Sequence, residues 1–158
     1  PGVKFIRVGR KNNYKVYGEG SELPIGKAVK LREGGDLTIV ACGIMVGEAL
    51  RAAETLAGEG IACEVLDMFT VKPLDVEALI ESVKKTGAVL TCENHNKVGG
   101  LYAAVSEALA ANLPSPVEYV AVEDEFGEVG PQDYLQKRFG LTAERIVEKA
   151  RRALERKR

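Results

Sequence analysis

The single histidine of the chain, His95, stands in the polar cluster Glu93-Asn94-His95, which the glycine pair Gly99-Gly100 follows closely. A carboxylate and an imidazole are groups that can accept and donate protons in catalysis. Nothing beside them supplies a nucleophile, an oxyanion donor or a cofactor site. We therefore expect no catalytic residue here. The cluster predicts a contact with a ligand or another protein surface, and its alternative is an ordinary strand-to-helix turn with a polar rim.

The elements around this cluster place it at one edge of a sheet. Residues 87–91 form an apolar run that predicts a buried strand, and residues 101–112 have the periodicity of a helix. In open α/β sheets, ligands and partner surfaces are met at the carboxyl ends of the strands. Gly99 and Gly100 can adopt positive φ and let the helix start close to another backbone. The N–H groups of that helix start would suit an anion or a carboxylate.

Other chemistry-bearing motifs are missing from the sequence. The first buried strand is followed by Cys42-Gly43-Ile44-Met45-Val46-Gly47, which is not a dinucleotide-binding GxGxxG, and there is no P-loop or nucleophile elbow. The three cysteines form no CxxC pair, so their spacing with one histidine does not indicate a metal site. An odd number of cysteines in apolar runs is typical of packed thiols in a reducing compartment, and we expect a cytoplasmic protein.

Composition excludes two classes of partner. The chain has 158 residues, 46% of them hydrophobic, and a net charge of −1. This charge gives no electrostatic reason to expect nucleic acid or an acidic membrane as a partner. No apolar run approaches the ~20 residues that span a bilayer, and no signal-peptide pattern is present. Because the sequence starts at Pro1 and enters an apparent strand directly, we expect the chain to be a fragment of something longer.

Alternating strand and helix patterns predict the fold class. Residues 5–8 predict a strand, residues 9–26 a linker, and the main domain is expected to start near Lys27. Within that domain the predicted strands are residues 28–32, 37–42, 61–67, 88–92 and 117–122. The predicted helices are residues 45–59, 101–112, 131–139 and 142–158, and one more that starts at Pro73 or Asp75 and ends at residue 86. Continuous apolar strands alternating with helices indicate a parallel sheet covered on both faces. The first strand joins the second by a hairpin-like turn at residues 33–36, so we expect it to be antiparallel.

The order of several segments resembles the C-terminal domain of transketolase. The resemblance covers about residues 28–155, and each segment is weakly specific when taken alone. Together they are specific because they follow one another at matching intervals. The segments are Thr38-Ile39-Val40-Ala41-Cys42-Gly43, Glu64 to Asp75, Glu93-Asn94-His95 with Gly99-Gly100-Leu101, Asp124 to Gly130, and Phe139-Gly140-Leu141-Thr142-Ala143. One departure is Val129, where a serine is common in the family.

The resemblance implies a fold and an activity. The fold is a three-layer α/β/α sandwich around a five-stranded mixed sheet whose first strand is antiparallel. The activity is transfer of a two-carbon ketol unit between sugar phosphates by a thiamine-diphosphate enzyme with Mg²⁺. Residues 5–10 resemble the end of the preceding pyrimidine-binding domain, and Arg10 matches an arginine that holds the sugar phosphate. Residues 1–26 are therefore expected to be the end of that domain plus a linker. A guanidinium suits that role because its donors form a planar fork.

The resemblance also implies what this chain does not do alone. The diphosphate-binding Gly-Asp-Gly segment with its Asn, and the glutamate that activates thiamine, are absent from the sequence. We expect the chain to bind neither cofactor nor metal alone and to be inactive alone. Its expected partners are the thiamine-binding N-terminal portion of the same enzyme and a second copy in a homodimer. Glu93, His95, Gly99 and Gly100 are expected at a domain or dimer interface.

Two alternatives remain open at this point. Residues 72–75 and 84–87 are similar to the β subunit of 2-oxoacid dehydrogenases, and deoxyxylulose-phosphate synthase shares the same domain. A free-standing binding or regulatory module, with no enzyme attached, is the alternative from a different class. The exact pair of sugars, the oligomeric state and the division of the parent enzyme into chains do not follow from the sequence.

Overall fold

A five-stranded mixed sheet forms the middle layer of the protein in a computed structural model that describes residues 2–9 and 14–157. The strands are β1 Val29–Arg32, β2 Leu37–Ala41, β3 Cys63–Asp67, β4 Val89–Asn96 and β5 Val117–Val122. Their order across the sheet is β1-β3-β2-β4-β5. The ladders between β2, β3, β4 and β5 are parallel, and β1 runs antiparallel to β3. The predicted fold class is confirmed.

Helices cover both faces of the sheet. They are α1 Met45–Gly58, α2 Val76–Thr86, α3 Leu101–Asn112, α4 Gln132–Arg138 and α5 Ala143–Glu155. One apolar cluster joins one sheet face to α1 and α5, and a second joins the other face to α2 and α3. Strand β2 lies between the two layers, and all five of its residues are buried. This explains why its sequence is continuously apolar rather than alternating.

Local capping explains several helix boundaries. Asp75 accepts a hydrogen bond from the Ala78 N–H at 3.2 Å and starts α2, which ends at Gly87 with φ of 73°. Thr142 starts α5 by accepting from the Arg145 N–H at 3.4 Å. Both residues are of the types that compete well for free N–H groups at helix starts. The predicted start of α5 is therefore correct, and of the two starts predicted for α2, Asp75 is confirmed and Pro73 is wrong.

The expected hairpin between the first two strands is wrong. β1 is antiparallel as expected, but its neighbour is β3, and β2 lies on the far side of β3. The connecting turn crosses the start of β3 closely, since a Cβ added at Gly34 would overlap the backbone carbonyl of Cys63. Asp36 fixes the crossing by accepting a hydrogen bond from the Ala62 N–H at 2.7 Å. Gly34 therefore allows the turn to pass close to the backbone of β3, and it does not form a hairpin.

Three other boundaries differ from the expectations. Residues 5–8 form no strand and are exposed, because they pair with no neighbouring strand in the described chain. β4 continues to Asn96, four residues beyond its predicted end at Cys92, through an irregularity in its ladder with β5. α5 ends at Glu155 rather than extending to the last residue. The extension of β4 matters most, because it places the Glu93-Asn94-His95 cluster within a strand.

Candidate functional site at the carboxyl edge of the sheet

Glu93 is the central residue of the carboxyl edge. Its side chain is only 2% exposed, and its carboxylate accepts hydrogen bonds from the backbone N–H groups of Leu101 and Tyr102, both at 2.8 Å. These two groups open α3, whose N-cap residue, Gly100, provides no side-chain cap. The anion that the sequence predicts for this helix start is therefore a carboxylate of the same chain. It also complements the positive end of the helix dipole.

Burial sets the acidity of this carboxylate. Desolvation raises the pKa of Glu93 above its usual value. The hydrogen bonds from Tyr102 and Leu101 oppose the increase, and the charges of His95 and Arg7 oppose it further. A raised pKa in a carboxyl group also occurs in general acids. Here both oxygens are occupied by backbone donors, so the geometry favours a structural cap.

The two glycines before α3 have different requirements. Gly99 has φ of +74°, as the sequence predicts for one residue of the pair. Gly100 has φ of −98° and needs space instead. An added Cβ there would lie 2.8 Å from the Glu93 Cδ and 3.0 Å from the Asn96 carbonyl oxygen. Positive φ is therefore confirmed for Gly99 and wrong for Gly100, where a close approach to the Glu93 carboxylate excludes a side chain.

His95 is exposed at the outer end of β4. Its Nδ1 lies 3.2 Å from the carbonyl oxygen of Asn96, which is the polar contact of this ring within the described chain. Glu93, the nearest acidic residue in sequence, already accepts hydrogen bonds from the backbone N–H groups that open α3. The ring therefore has no partner here that would make it an acid–base catalyst, and its interface role stays a prediction.

A second buried carboxylate lies on the neighbouring part of the edge. Asp67, at the end of β3, is 5% exposed and accepts a hydrogen bond from the Tyr17 hydroxyl at 2.6 Å. Desolvation raises the pKa of Asp67. Burial, followed by the charges of Glu93 and Asp67, raises the pKa of the Cys42 thiol to about 12. This thiol is therefore protonated near neutral pH and is a poor nucleophile.

The described N-terminal residues touch the same edge. Arg7 donates a hydrogen bond to the carbonyl oxygen of Asn94 at 2.9 Å. Gly26 donates its N–H to the Thr70 hydroxyl at 3.0 Å. Arg10, which the resemblance assigns to the sugar phosphate, lies outside the described residues. Its assignment stays a prediction, as does the division of the chain at residues 26 and 27.

An acidic loop, residues 123–131, extends the edge beyond β5. Asn96 ties it to β4 by donating to Asp124 at 2.8 Å, and Arg138 holds it from α4 through Glu125 and Glu128 at 2.9 and 2.6 Å. Phe126 and Val129 are fully solvent-exposed in this loop. Together with His95 and Val98 they form what we call the carboxyl-edge surface. Exposed apolar side chains on a fixed loop are typical of a contact surface.

The edge does not supply a cofactor site. Within residues 2–9 and 14–157, no group of three or more histidine, cysteine, aspartate or glutamate side chains could hold a metal ion. Both oxygens of Glu93 and the Oδ2 of Asp67 already accept hydrogen bonds from protein donors, which leaves the buried Asp67 Oδ1 as a single carboxylate oxygen without a partner in the described residues. The residues present therefore do not fit thiamine diphosphate with its Mg²⁺. In the same described residues, no helix is long and apolar enough to cross a membrane.

Sequence reasoning located this edge but missed how it is built. It singled out Glu93, His95 and both glycines, and the structure brings all four together around the start of α3. It missed that Glu93 caps α3. A carboxylate eight residues before the start of a helix is not a recognised capping pattern, so the sequence gives little sign of this role. It also missed the pairing of Tyr17 with Asp67, because the two residues are far apart in sequence.

The fold and the edge define a three-layer α/β domain whose carboxyl-edge carboxylates hold its own backbone and side chains. Comparison with known proteins agrees with this class. The family model described as "Transketolase, C-terminal domain" matches residues 26–146. The chain belongs to the transketolase C-terminal domain family.

Individual relatives are parts of transketolases. The chain is 53% identical over 156 residues to the 6-deoxy-6-sulfo-D-fructose transketolase subunit SqwH of Clostridium sp. (strain MSTE9), covering 99% of the chain and 48% of that protein. It is 39% identical over 151 residues to one of the subunits of the apulose-4-phosphate transketolase of Phocaeicola vulgatus, covering 95% and 48%. The chain thus spans about half the length of these relatives.

A solved structure supports the same family. It is described as "Split gene transketolase, inactive beta4 tetramer" and matches with a TM-score of 0.89 at 45% identity. The match covers 95% of this chain and 48% of that one. The agreement therefore extends over nearly the whole chain.

Proposed function

We propose that this chain is the C-terminal part of a transketolase-type enzyme that transfers two-carbon ketol units between sugar phosphates. The observation that carries the proposal is the family match over nearly the whole chain, together with relatives that are themselves transketolase subunits. The role of this part is to support assembly. The carbanion chemistry belongs to the cofactor, which the N-terminal portion of the enzyme would bind.

The chain alone is inactive in this proposal. Its sequence lacks the segments that bind the diphosphate and activate thiamine, and the Glu93 carboxylate of its carboxyl edge is occupied by backbone donors. The related solved structure, an inactive tetramer of beta chains, is a precedent for a chain of this family that assembles with its own copies without activity. The active form would combine the thiamine-binding portion with a dimer of the portion described here.

The carboxyl-edge surface is the proposed contact with the rest of the enzyme. Its apolar members Val98 and Phe126 are 66% and 98% exposed, which is unusual for side chains of this size on a fixed turn and a fixed loop. Glu93 and Gly100 would act indirectly, because they hold the turn that presents His95 and Val98. The cytoplasm is the proposed location, in keeping with free thiols at Cys42, Cys63 and Cys92.

The test is reconstitution. The chain is assayed for ketol transfer alone and after mixing with the thiamine-binding portion of the enzyme, with thiamine diphosphate and Mg²⁺ present in both cases. Donors are xylulose 5-phosphate and, because of the SqwH relative, 6-deoxy-6-sulfo-D-fructose. Transfer only in the mixture supports the proposal. Transfer by the chain alone, or micromolar Mg²⁺-dependent binding of the cofactor to the chain alone by calorimetry, contradicts it.

Arg10 provides a sharper test of the substrate. In the assembled enzyme, we expect Arg10→Ala to raise KM more for phosphorylated sugars than for unphosphorylated analogues. A charge-assisted hydrogen bond is worth about 1.5–3 kcal/mol, so the difference would be about tenfold or more. Equal losses for both substrate types would show that Arg10 does not bind the phosphate.

A second candidate is supported by one comparison. The chain is 43% identical over 130 residues to the 1-deoxy-D-xylulose-5-phosphate synthase of Syntrophotalea carbinolica, covering 82% of the chain but 20% of that enzyme. The reconstituted protein would then form 1-deoxyxylulose 5-phosphate rather than transfer a ketol unit. Activity with pyruvate and a lipoyl acceptor would instead identify a 2-oxoacid dehydrogenase.

A further inference from the structure

A surface cavity of about 370 Å³ lies where β5, α4 and α5 meet. Its floor is partly apolar and includes residues 119–121 of β5 and the ring of Phe139, which follows α4. Cavities that hold small molecules fall in a range of roughly 300–1,000 Å³ and combine an apolar lining with a few polar groups. This cavity therefore has the size of a small-molecule site, and it borders the acidic loop of the carboxyl edge through Glu123 and Glu125.

The cavity is rimmed by cations from two helices. Lys137 lies in the last turn of α4, and Arg145 and Lys149 lie on α5. Lys137 and Arg145 are exposed, whereas the Lys149 side chain is only 11% exposed and lies with its Nζ 5.3 Å from the centre of the Tyr119 ring. Glu118 pairs with the Lys149 Nζ at 3.2 Å and compensates this ammonium in part, so the exposed Lys137 and Arg145 are the cations most open to an anion in the cavity.

The acidic residues of the cavity are already compensated by other cations. Glu123 pairs with Lys97 at 2.5 Å, and Glu125 pairs with Arg138 at 2.9 Å. The lining thus holds two carboxylates beside four cations, Lys137, Arg138, Arg145 and Lys149. The charge of Lys149, after that of Lys97, also helps to lower the pKa of Glu123, so the acidic side chains offset only part of the positive charge. Lys97 is outside the cavity lining, so this pairing leaves the lining with an excess of positive charge.

The three rim cations differ in how far they are compensated. Lys149 shares Glu118 with Arg152 and Arg156, so one carboxylate faces three cations. Arg145 pairs with the exposed Glu148 at 2.6 Å. Within the described part of the chain, no ion pair includes Lys137. The cavity thus has unmatched positive charge on its rim and apolar surface at its floor.

We propose that this cavity binds a small ligand that carries a phosphate group, with the phosphate between Lys137, Arg145 and Lys149 and its organic part on Phe139. A guanidinium and ammonium groups are the side chains that bind phosphate best, by charge-assisted hydrogen bonds. The apolar floor favours a phosphate ester over inorganic phosphate. This inference is independent of the proposed ketol transfer, because it concerns binding alone.

The test is a titration of the full 158-residue chain with phenyl phosphate and with inorganic phosphate, followed by NMR at low salt. We expect saturable shifts at residues 119–121 and 137–149, with a Kd for phenyl phosphate of about 1 mM or tighter and weaker binding of inorganic phosphate. Lowering the pH from 7.5 to 5 should weaken binding, because a phosphate monoester loses its second charge near pH ~6. No saturable shifts, or shifts confined to other residues, would overturn the proposal.

Matched variants separate the cavity from general positive charge. Lys137→Gln with Arg145→Gln should weaken phenyl phosphate binding about tenfold or more, since each removes a charge-assisted contact. Arg151→Gln removes an exposed cation of the same helix that pairs with Glu59 outside the cavity, and it should change the Kd less than about twofold. Lys137→Gln alone keeps the test usable if the double variant unfolds at a lower temperature. Equal losses of phenyl phosphate affinity in the cavity and control variants would show non-specific electrostatic attraction and would contradict binding in this cavity.

Discussion

Glu93 and Glu118 are buried carboxylates on neighbouring strands, yet they are stabilised in different ways. Glu93 on β4 is 2% exposed and is held by the backbone N–H groups that open α3. Glu118 on β5 is 5% exposed and is held by the cations Lys149, Arg152 and Arg156 of α5 and its C-cap. Similar burial therefore produces two different local electrostatic environments.

The difference appears in the direction of their pKa shifts. Burial raises the pKa of Glu93, and its backbone donors only partly oppose the increase. Burial also pushes the pKa of Glu118 upward, but Arg156, Lys149 and Arg152 together bring it below the usual value. Full cations thus compensate for desolvation, whereas two backbone donors do not.

The two carboxylates also serve different parts of the molecule. Glu118 fastens α5 to the edge strand β5 and so completes the fold. Glu93 holds a turn whose outer residues, His95 and Val98, are exposed. One site is therefore internal to the domain, and the other supports the surface that we propose for assembly. Substitutions at the Glu93 turn should therefore affect partner binding as well as stability, whereas those at Glu118 should affect stability and leave partner binding unchanged.

The largest expected effect comes from filling the space beside Glu93. Gly100→Ala should destabilise the chain by about 3 kcal/mol, because the new Cβ displaces the carboxylate from the start of α3. Gly99→Ala meets no atom within 4 Å and should cost only about 1–2 kcal/mol from its positive φ. Chemical denaturation of both variants measures the two values.

Gly58→Ala is the matched control for these glycine variants. It lies in the last turn of α1, where an added Cβ meets nothing within 4 Å, and should be neutral or slightly stabilising. If Gly100→Ala were no more destabilising than Gly99→Ala, the close packing of Glu93 against the helix start would be disproved.

The next prediction concerns pH. The folded-state pKa of Glu118 lies below the usual value of 4.5, so its stabilisation is present above pH 4.5 and is lost as the pH falls through the folded pKa. The folded-state pKa of Glu93 lies above 4.5, so its ionised form costs stability as the pH rises from 4.5 through the folded pKa. The two residues should therefore contribute opposite slopes to the stability profile.

Glu118→Gln and Glu93→Gln reveal these slopes. Each should destabilise the chain by about 1–3 kcal/mol at pH 7, since each removes a charged acceptor from its donors. As the pH is lowered to 4, the deficit of Glu118→Gln should shrink and that of Glu93→Gln should grow. Urea unfolding at several pH values gives both curves, and parallel curves would contradict the contrast between the two sites.

The smallest expected effect is at His95. In the assembled enzyme, His95→Asn should weaken association with the partner modestly and leave turnover within about tenfold, because the ring is exposed and its hydrogen bond within the described residues goes to the Asn96 carbonyl oxygen. Sedimentation and initial rates measure the two quantities. A fall in turnover of ~10³-fold with assembly intact is the size expected of a general acid–base group and would make His95 catalytic.

Much of the fold could be predicted from the sequence because its elements are marked locally. The apolar run of β2 and the caps Asp75 and Thr142 are readable from neighbouring residues. The neighbour of β1 was not, because the crossing at Gly34 depends on packing against Cys63, which is distant in sequence. At the site, the sequence identified Glu93, His95 and the two glycines as the residues of interest. It did not show that Glu93 caps α3, because that contact depends on β4 continuing to Asn96.

The most direct test of the assembly role is hydrogen–deuterium exchange of the chain with and without the thiamine-binding portion of the enzyme. The account predicts slower exchange on complex formation at residues 94–100 and 123–130, where the carboxyl-edge surface lies, and unchanged exchange at residues 149–156 around Glu118. Protection confined to residues 149–156, with unchanged exchange at the carboxyl edge, would contradict it.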